Sequence, residues 1–366
     1  MSFLILFLMM MGKKINLSDR LILQESLNQG DFSNVLNLLK RIFKYTIFFE
    51  SIGAILFSIV FIPQFGIEKG IFYSIFHSIS AFCNSGIDIL GNNSFINYSS
   101  NVLVNITIML LIIIGGLGFT VWVDIVNCIR KKVKEKLSLR KLIKELTLHT
   151  KIVLIVTFIL LVSGTLLIYL FEYNNITTMA GSSNGEKLLK SAFQATTLRT
   201  AGFATINQNE MTTVSKLISI CYMFVGGSPG STAGGIKTVT SLIVILLVIT
   251  YMKDREKIHI FKKQIPESAV RRAIVVFAIS IFIVVFATIA LLLSESFIKE
   301  ELLSSDLASL YTVSFIEVLF EVVSAFGTVG LTLGITSSLS FIGKIIIILL
   351  MFIGRLRAND NINCFI

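Results

Sequence analysis

The sequence predicts an all-α membrane protein made of repeated units, each a membrane helix, a shorter helix, a glycine-bearing loop and a second membrane helix. Two observations predict it. The first is a recurring tripeptide. Ser80-Ala81-Phe82 and Ser324-Ala325-Phe326 are followed, four residues after the Phe, by Gly86 and Gly330; a third copy, Ser191-Ala192-Phe193, precedes Thr200-Ala201-Gly202-Phe203 with five extra residues before its glycine. The glycines lie 116 and 128 residues apart, a period of long repeats, and repeats decide the fold before any local reading. The second is composition: with 54% hydrophobic residues, 15% charged and 30 Phe in 366 residues, a water-soluble domain could not hide its apolar surface. Glycine turns set between apolar runs in every repeat read as the lining loops of a pore.

The elements follow in chain order. Val102 to Val123, Ile152 to Phe171 and Ala273 to Leu293 run 20 to 22 residues without a charge, enough to cross about 30 Å of hydrocarbon as helix. Residues 1–35 read as an inner helix remnant at 3–12 and a cytoplasmic linker, in which Ser18 caps a short helix through Asn28. Residues 36–130 form one unit: a span near 36–62, a short helix at 71–82, the loop 83–87 and a span from about 99 to 128. A basic linker, 131–149, leads to a second unit, 150–252, with a span near 150–171, a short helix at 186–197, the loop 198–203 and an interrupted span from about 209 to 252. A third unit fills 253–366, with a span near 268–298, a short helix at 307–326, the loop 327–331 and a span from about 339.

The net charge of +10 would suggest nucleic acid were it not for where it lies. Of 32 Lys and Arg, 24 fall in clusters at 13–44, 130–151, 253–272 and at Arg355 and Arg357, each beside an apolar run. Basic residues collect on the cytoplasmic side of membrane proteins, so the charge orients the chain, nucleic acid is excluded as a partner, and the glycine loops enter from the outer face. Cys83, Cys128, Cys221 and Cys364 have no paired spacing and His77, His149 and His259 stand singly, which indicates neither a disulfide framework nor a metal cluster. The Asn-x-Ser/Thr matches at Asn92, Asn97, Asn105 and Asn175 are chance. Met1 to Met11 has no basic flank before it and does not read as a signal peptide. No set of nucleophiles or metal ligands converges inside the spans, so the chain does not read as a membrane enzyme.

The loops carry the chemistry. A half-helix and a returning loop leave backbone polar groups unpaired at membrane depth, which is tolerated only around protein or a water-filled cavity. The C-terminal end of a half-helix directs partial negative charge toward the axis and favours cations. Glycine adopts angles that Cβ forbids, so successive carbonyls can face inward and replace an ion's hydration shell. The coordination candidates are Gly86, Gly202 and Gly330, with carbonyls from Asn84, Ser85, Thr200, Ala201, Thr328 and Val329. The stretch 226–235 holds five Gly and one Pro inside an otherwise apolar span; it cannot stay helical and must face a cavity.

Three segments carry a resemblance: 196–203 (Thr-Thr-Leu-Arg-Thr-Ala-Gly-Phe), 324–331 (Ser-Ala-Phe-Gly-Thr-Val-Gly-Leu), and 226–237, in which Gly226, Gly227, Ser228, Gly230, Ser231, Gly234, Gly235 and Lys237 recur in the family's long glycine motif. The chain resembles the membrane subunits of the Trk/Ktr/HKT potassium transporter superfamily, KtrB-like, from about residue 3 to Arg355. The resemblance implies four membrane-pore-membrane repeats around a pseudo-fourfold pore and a potassium uptake subunit with K+ at the filter glycines. It implies a homodimer in the bacterial plasma membrane, partnered by a cytosolic KtrA-like ring of nucleotide-binding regulatory subunits. It makes 226–237 the intramembrane gating loop and Arg355 the positive charge that faces it. K+ is the substrate, no cofactor is expected on this chain, and sodium coupling or symport stays open.

The repeat spacing places a fourth glycine before Met1, and Leu356 to Ile366 is polar where the family continues apolar. The fold is therefore expected to be incomplete at both ends, which keeps a truncated, non-conducting fragment or assembly partner as the alternative. Arg199 is expected to bond pore-loop carbonyls, and Glu317 and Glu321, at i and i+4, to pair with Arg199 or Lys344. His77 is expected to be packed.

Overall fold

The computed structural model describes residues 32–357 except 92, 136–137, 139–140, 142–143, 256, 262 and 303–313. The expected remnant at 3–12, the Ser18–Asn28 helix and the start of the short helix at 307–313 lie outside the described residues. In the first unit, α1 (Phe32–Phe65) reverses at Gly66 into α2 (Ile67–Phe82), and α3 (Val102–Gly116) and α4 (Phe119–Glu135) follow. The second unit comprises α5 (Leu148–Glu172), α6 (Asn184–Thr197), α7 (Thr213–Phe224) and α8 (Thr238–Met252). The third comprises α9 (Glu267–Leu302), α10 (Phe315–Gly327) and α11 (Phe341–Arg357). A two-residue hairpin, β1 (His259–Ile260) with β2 (Lys263–Gln264), precedes α9 and was not expected.

Local chemistry sets the helix starts. The side chains of Asn101, Thr147 and Thr212 accept the backbone N–H of Val104, Thr150 and Ser215, each satisfying an orphan donor of the first turn. The half-helices α6 and α10 open on capping boxes, Ser183 with Glu186 and Ser314 with Glu317. The N–H of Ser183 donated to Glu186 holds that carboxyl below the usual carboxylate range.

Lys40–Phe65, Leu148–Glu172 and Glu267–Ser296 are each long and apolar enough to cross a membrane. Large apolar side chains such as Phe158, Leu170, Phe282, Phe286 and Phe352 lie on the outside of the bundle, where hydrocarbon, not water, is the neighbouring solvent. Each half-helix folds back on its own incoming span, α2 on α1 and α6 on α5. Each outgoing helix then packs on the half-helix of the next unit, α3 on α6 and α7 on α10. This relay arranges the units around one axis in chain order.

The expected single span Val102–Val123 is not one helix. It breaks at Leu117–Gly118, and α4 leaves α3 with a bend of 96°. The cause is the glycine-rich stretch 226–235, which inserts at the break: Ser228 N–H and Thr232 N–H donate to the carbonyls of Gly116 and Gly115 at 3.1 and 3.3 Å, and Phe119 N–H donates to Gly230 O at 3.0 Å. Gly118 has φ +93, and a Cβ there would stand 2.6 Å from Pro229 O. Trp122 Nε1 donates to Ile114 O at 2.9 Å across the corner.

Gly118→Ala should therefore lower stability by about 2 kcal/mol through left-handed strain plus a backbone clash. A melting midpoint of the detergent-purified protein equal to that of the parent would show the corner to be tolerant.

Candidate functional site

Three short helices end in three loops of one conformation. The residue two before each glycine is left-handed although it carries a side chain (Asn84 φ 50, Thr200 φ 63, Thr328 φ 51), and each glycine is left-handed too (Gly86 φ 67, Gly202 φ 88, Gly330 φ 92). Such angles are uncommon outside glycine, and their threefold recurrence marks a built feature. A helix-end hydroxyl pins each loop from behind. Ser80 Oγ donates to Ile87 O, Thr197 Oγ1 to Phe203 O and Ser324 Oγ to Leu331 O, all at 2.6 Å. Backbone bonds Ser85 N–H to Ser80 O and Val329 N–H to Ser324 O, at 3.0 and 2.8 Å, repeat between the first and third loops.

The third tripeptide copy is not the structural equivalent of the other two. Ser191 sits more than a turn earlier on α6, where its Oγ bonds Lys187 O at 2.8 Å, and Thr197 takes the pinning role instead. Four of the five extra residues, Gln194 to Thr197, extend α6. Phe193 packs into the core of the first unit with Phe95, Ala201 and Phe203.

The loops meet. A Cβ on Gly86 would stand 2.3 Å from Ala201 O and 2.8 Å from the Gly202 Cα, and one on Gly202 would stand 2.4 Å from Val329 O. The Ala201 and Val329 carbonyls thus abut the glycine of the neighbouring loop, and only a residue without a side chain fits there. On Gly330 a Cβ would meet only the Gly202 Cα, at 3.8 Å. The side of Gly330 away from Gly202 borders a cleft of about 580 Å³, walled by Cys83, Asn84 and Ser85 on one flank and Glu321, Thr328 and Thr332 on the other, with Arg355 also in its lining.

The segment after α7 lies against the same helix ends. It is irregular, as expected, and its backbone groups are paired: Gly226 N–H with Ile236 O at 2.9 Å, Thr238 N–H with Gly227 O at 3.0 Å, and Ser231 Oγ with Ser228 O at 2.6 Å. It touches all three pore-loop units. Thr232 Oγ1 donates to Phe82 O at 3.2 Å, Gly234 N–H donates to Thr200 Oγ1 at 3.2 Å, and a Cβ on Gly234 would stand 2.0 Å from Thr328 Oγ1. Gly235, at φ +66, turns the chain back toward α8. Two cations hold the segment's carbonyls: Arg355 Nη1 donates to Thr232 O at 2.9 Å and the buried Lys237 Nζ to Ala233 O at 2.8 Å.

Other candidates resolve differently from expectation. Arg199 is 3% exposed, and its Nε and Nη2 have no hydrogen-bond partner in place of the pore-loop carbonyls expected for them. Glu317 caps α10 through Ser314 N–H at 2.9 Å. Glu321 accepts the Thr332 hydroxyl, Leu333 N–H at 3.0 Å and Thr336 Oγ1 at 2.8 Å, so both carboxylates serve their own loop and not Arg199 or Lys344. His77 is buried among Phe61, Phe76 and Phe95 and does more than pack: its Nε2 accepts Ile89 N–H at 3.3 Å, leaving Nδ1 to donate to Tyr73 O at 2.7 Å, which ties down the exit of the first loop. Sequence reasoning missed Glu172, whose buried carboxylate accepts from Asn175, Thr178 and Thr212 and joins the outer end of α5 to the start of α7.

Half-helices that return through nested glycine loops, with a broken helix against them, define the class: a helical membrane protein of repeated pore-loop units. The family profile described as TrkH, Cation transport protein, matches residues 1–362. The chain is 39% identical over 351 residues to the potassium/sodium uptake protein NtpJ of Enterococcus hirae, covering 96% of this chain and 72% of that protein. It is 36% identical over 356 residues to Ktr system potassium uptake protein B of Bacillus subtilis (97% and 74%), and 34% identical over 349 residues to the protein of that name in Vibrio alginolyticus (95% and 71%). The crystal structure of the potassium transporter TrkH from Vibrio parahaemolyticus shares the fold with TM-score 0.69 at 17% identity, covering 93% of this chain and 66% of that one. This chain belongs to the TrkH cation transport protein family, a family of transporters, and spans 66 to 74% of the length of these relatives.

Gly202→Ala adds a backbone clash to left-handed strain, whereas Gly181→Ala, at φ +86 with open space around it, adds strain alone. Gly181→Ala should cost roughly 1 kcal/mol and Gly202→Ala about 3 kcal/mol or more. Equal losses in thermal unfolding of the two variants would mean that the loops are not nested at Gly202.

Proposed function

We propose that this chain is the membrane subunit of a potassium uptake system, in which K+ passes through the carbonyls of the three nested loops and the segment 226–235 acts as a gate. The observation that carries the reading is the contact of Gly86, Gly202 and Gly330 in one place. Carbonyls of Asn84, Ser85, Thr200, Ala201, Thr328 and Val329 would replace the hydration shell of the ion, and the C-terminal ends of α2, α6 and α10 would add their partial negative charge. The relatives named for potassium uptake support K+ as the substrate. One of them is named for potassium and sodium, which leaves sodium coupling for the transport assay to decide. By the same relationship we propose a bacterial plasma membrane location, a homodimer, and a cytosolic ring of nucleotide-binding regulatory subunits at the basic inner face.

Arg355 supports the gate. Its guanidinium bonds the carbonyl of Thr232 from the last helix, which both latches the segment and places a positive charge where a cation would leave. Gly and Ser give the segment the freedom to move once that latch opens. A second reading, a non-conducting assembly partner, is favoured by the open flank of Gly330, where among the described residues only the cleft stands opposite Gly202.

Potassium uptake decides between the readings. Expressed in cells lacking other K+ uptake, the chain should restore growth at low K+, and Gly330→Ser should weaken uptake several-fold and lower discrimination against sodium, since a Cβ at φ +92 distorts the loop. Uptake with unaltered selectivity in that variant removes Gly330 from the filter, and no uptake by the parent chain supports the assembly partner.

Arg355→Ala, or deletion of 228–233, should raise ion flux in vesicles several-fold while selectivity stays the same. A flux equal to the parent's would make the segment a structural break.

A further inference from the structure

The hairpin β1–β2 between α8 and α9 belongs neither to a span nor to a pore loop. It is held to the bundle from one side. Ile258 and Ile265 flank it, pair through Ile265 N–H to Ile258 O at 3.0 Å, and are buried in the core formed with Val121 of α4, Ile152 of α5 and Ile243 of α8. The tip turns outward. Phe261 stands there at φ +49 with 56% of its surface exposed. Left-handed angles are unfavourable for a bulky side chain, and contacts within the chain leave most of this ring uncovered.

The neighbouring helices fix where the tip can reach. α8 is apolar to its last turn, where Tyr251 and Met252 are 82% and 78% exposed, and the apolar span of α9 begins at Glu267. Both ends of the connection therefore lie at the edge of the hydrocarbon, the level at which amphipathic aromatic rings collect. Its charge is cationic. Residues 253–272 hold seven basic residues against three acidic ones. Lys253, Arg255, Lys257 and Lys263 are exposed, and among the described residues none of the four is paired with a carboxylate. An exposed aromatic ring set among cations at the membrane edge has the composition of an interfacial anchor, in which the ring enters the headgroup boundary and the cations meet lipid phosphates.

We propose that the hairpin is a lipid-binding element: Phe261 seats in the headgroup boundary, and Lys257 and Lys263 bind the phosphates of anionic phospholipids. The inference goes beyond the pore reading and requires only the membrane environment. A soluble protein is the other class of partner that a basic loop could take. The bilayer is favoured because Ile258 and Ile265 hold the hairpin against the bundle and because its tip residue is apolar.

The test reads contact with lipid directly. Phe261→Trp adds an indole to a chain whose single Trp is Trp122, so the parent supplies the background. The whole chain is placed in vesicles of phosphatidylcholine and phosphatidylglycerol brominated high on the acyl chain. The added emission should be blue-shifted and quenched. Tyr251→Trp, at the end of α8, marks the hydrocarbon edge in the same assay. Titrated in mixed micelles, brominated phosphatidylglycerol should quench the Trp at position 261 at lower concentration than brominated phosphatidylcholine does. In that background Lys257→Gln and Lys263→Gln should each raise the half-quenching phosphatidylglycerol concentration about fivefold, the factor one basic side chain contributes near an anionic surface, and high salt should shrink the difference. These changes are at exposed side chains, so the variants should melt with the parent. An unquenched Trp at 261 beside a quenched one at 251 places the tip in water, overturns the proposal and turns the search to a soluble partner. Equal half-quenching concentrations for the two lipids, or parent-like values in both lysine variants, overturn the anionic-lipid assignment. Potassium uptake enters none of these measurements, so their failure leaves the pore reading untouched.

Discussion

Every part of this structure depends on how backbone polar groups are satisfied where no water reaches them. A helix carries its own hydrogen bonds, but among the described residues four stretches packed inside the bundle are not helix: the three pore loops and 225–237. Each is paired by a different neighbour. The pore loops are pinned by hydroxyls of their own half-helices, Ser80, Thr197 and Ser324. The glycine-rich segment is paired by the ends of other units, through Gly115, Gly116 and Phe82, and by Thr200. Irregular backbone here is possible only because several irregular pieces lie together and exchange bonds.

The same requirement accounts for the 96° corner between α3 and α4. Ending α3 at Gly116 frees carbonyls that a continuous helix would have consumed, and the N–H groups of Ser228 and Thr232 take them. One broken helix thus accommodates another. Charge is placed by the same logic. Arg355 and the buried Lys237 are aimed at carbonyls of the segment, and for Lys237 the carbonyl satisfies a charge that would be costly alone.

Much of this was legible in the sequence, and the reasons are specific. Ser80-Ala81-Phe82 and Ser324-Ala325-Phe326 signalled equivalent helix ends because the same hydroxyl does the same work six residues before the glycine. The third tripeptide misled, because helix periodicity allows Thr197 to replace Ser191 once the helix is extended. The run Gly115-Gly116-Leu117-Gly118 was the available signal for the broken span and was hidden by its apolar surroundings. Glu321 and the link that Glu172 makes between α5 and α7 could not be assigned, since Thr332 and Thr336 lie 11 and 15 residues from Glu321 and Thr212 lies 40 from Glu172, partners named only by the way the loops fold back.

By itself the sequence determined the apolar character of the spans, the order of the three glycine loops, and the residue types at each loop, because these follow from composition, repetition and the angles that glycine alone adopts freely. Tertiary structure decided which atoms face one another. Whether Thr328 points to Gly234, whether Arg199 finds a carbonyl, and where α3 must stop depend on contacts between units far apart in the chain. No local pattern encodes those contacts, since the free energy that selects them belongs to the assembled interior and is shared among all the units that line it.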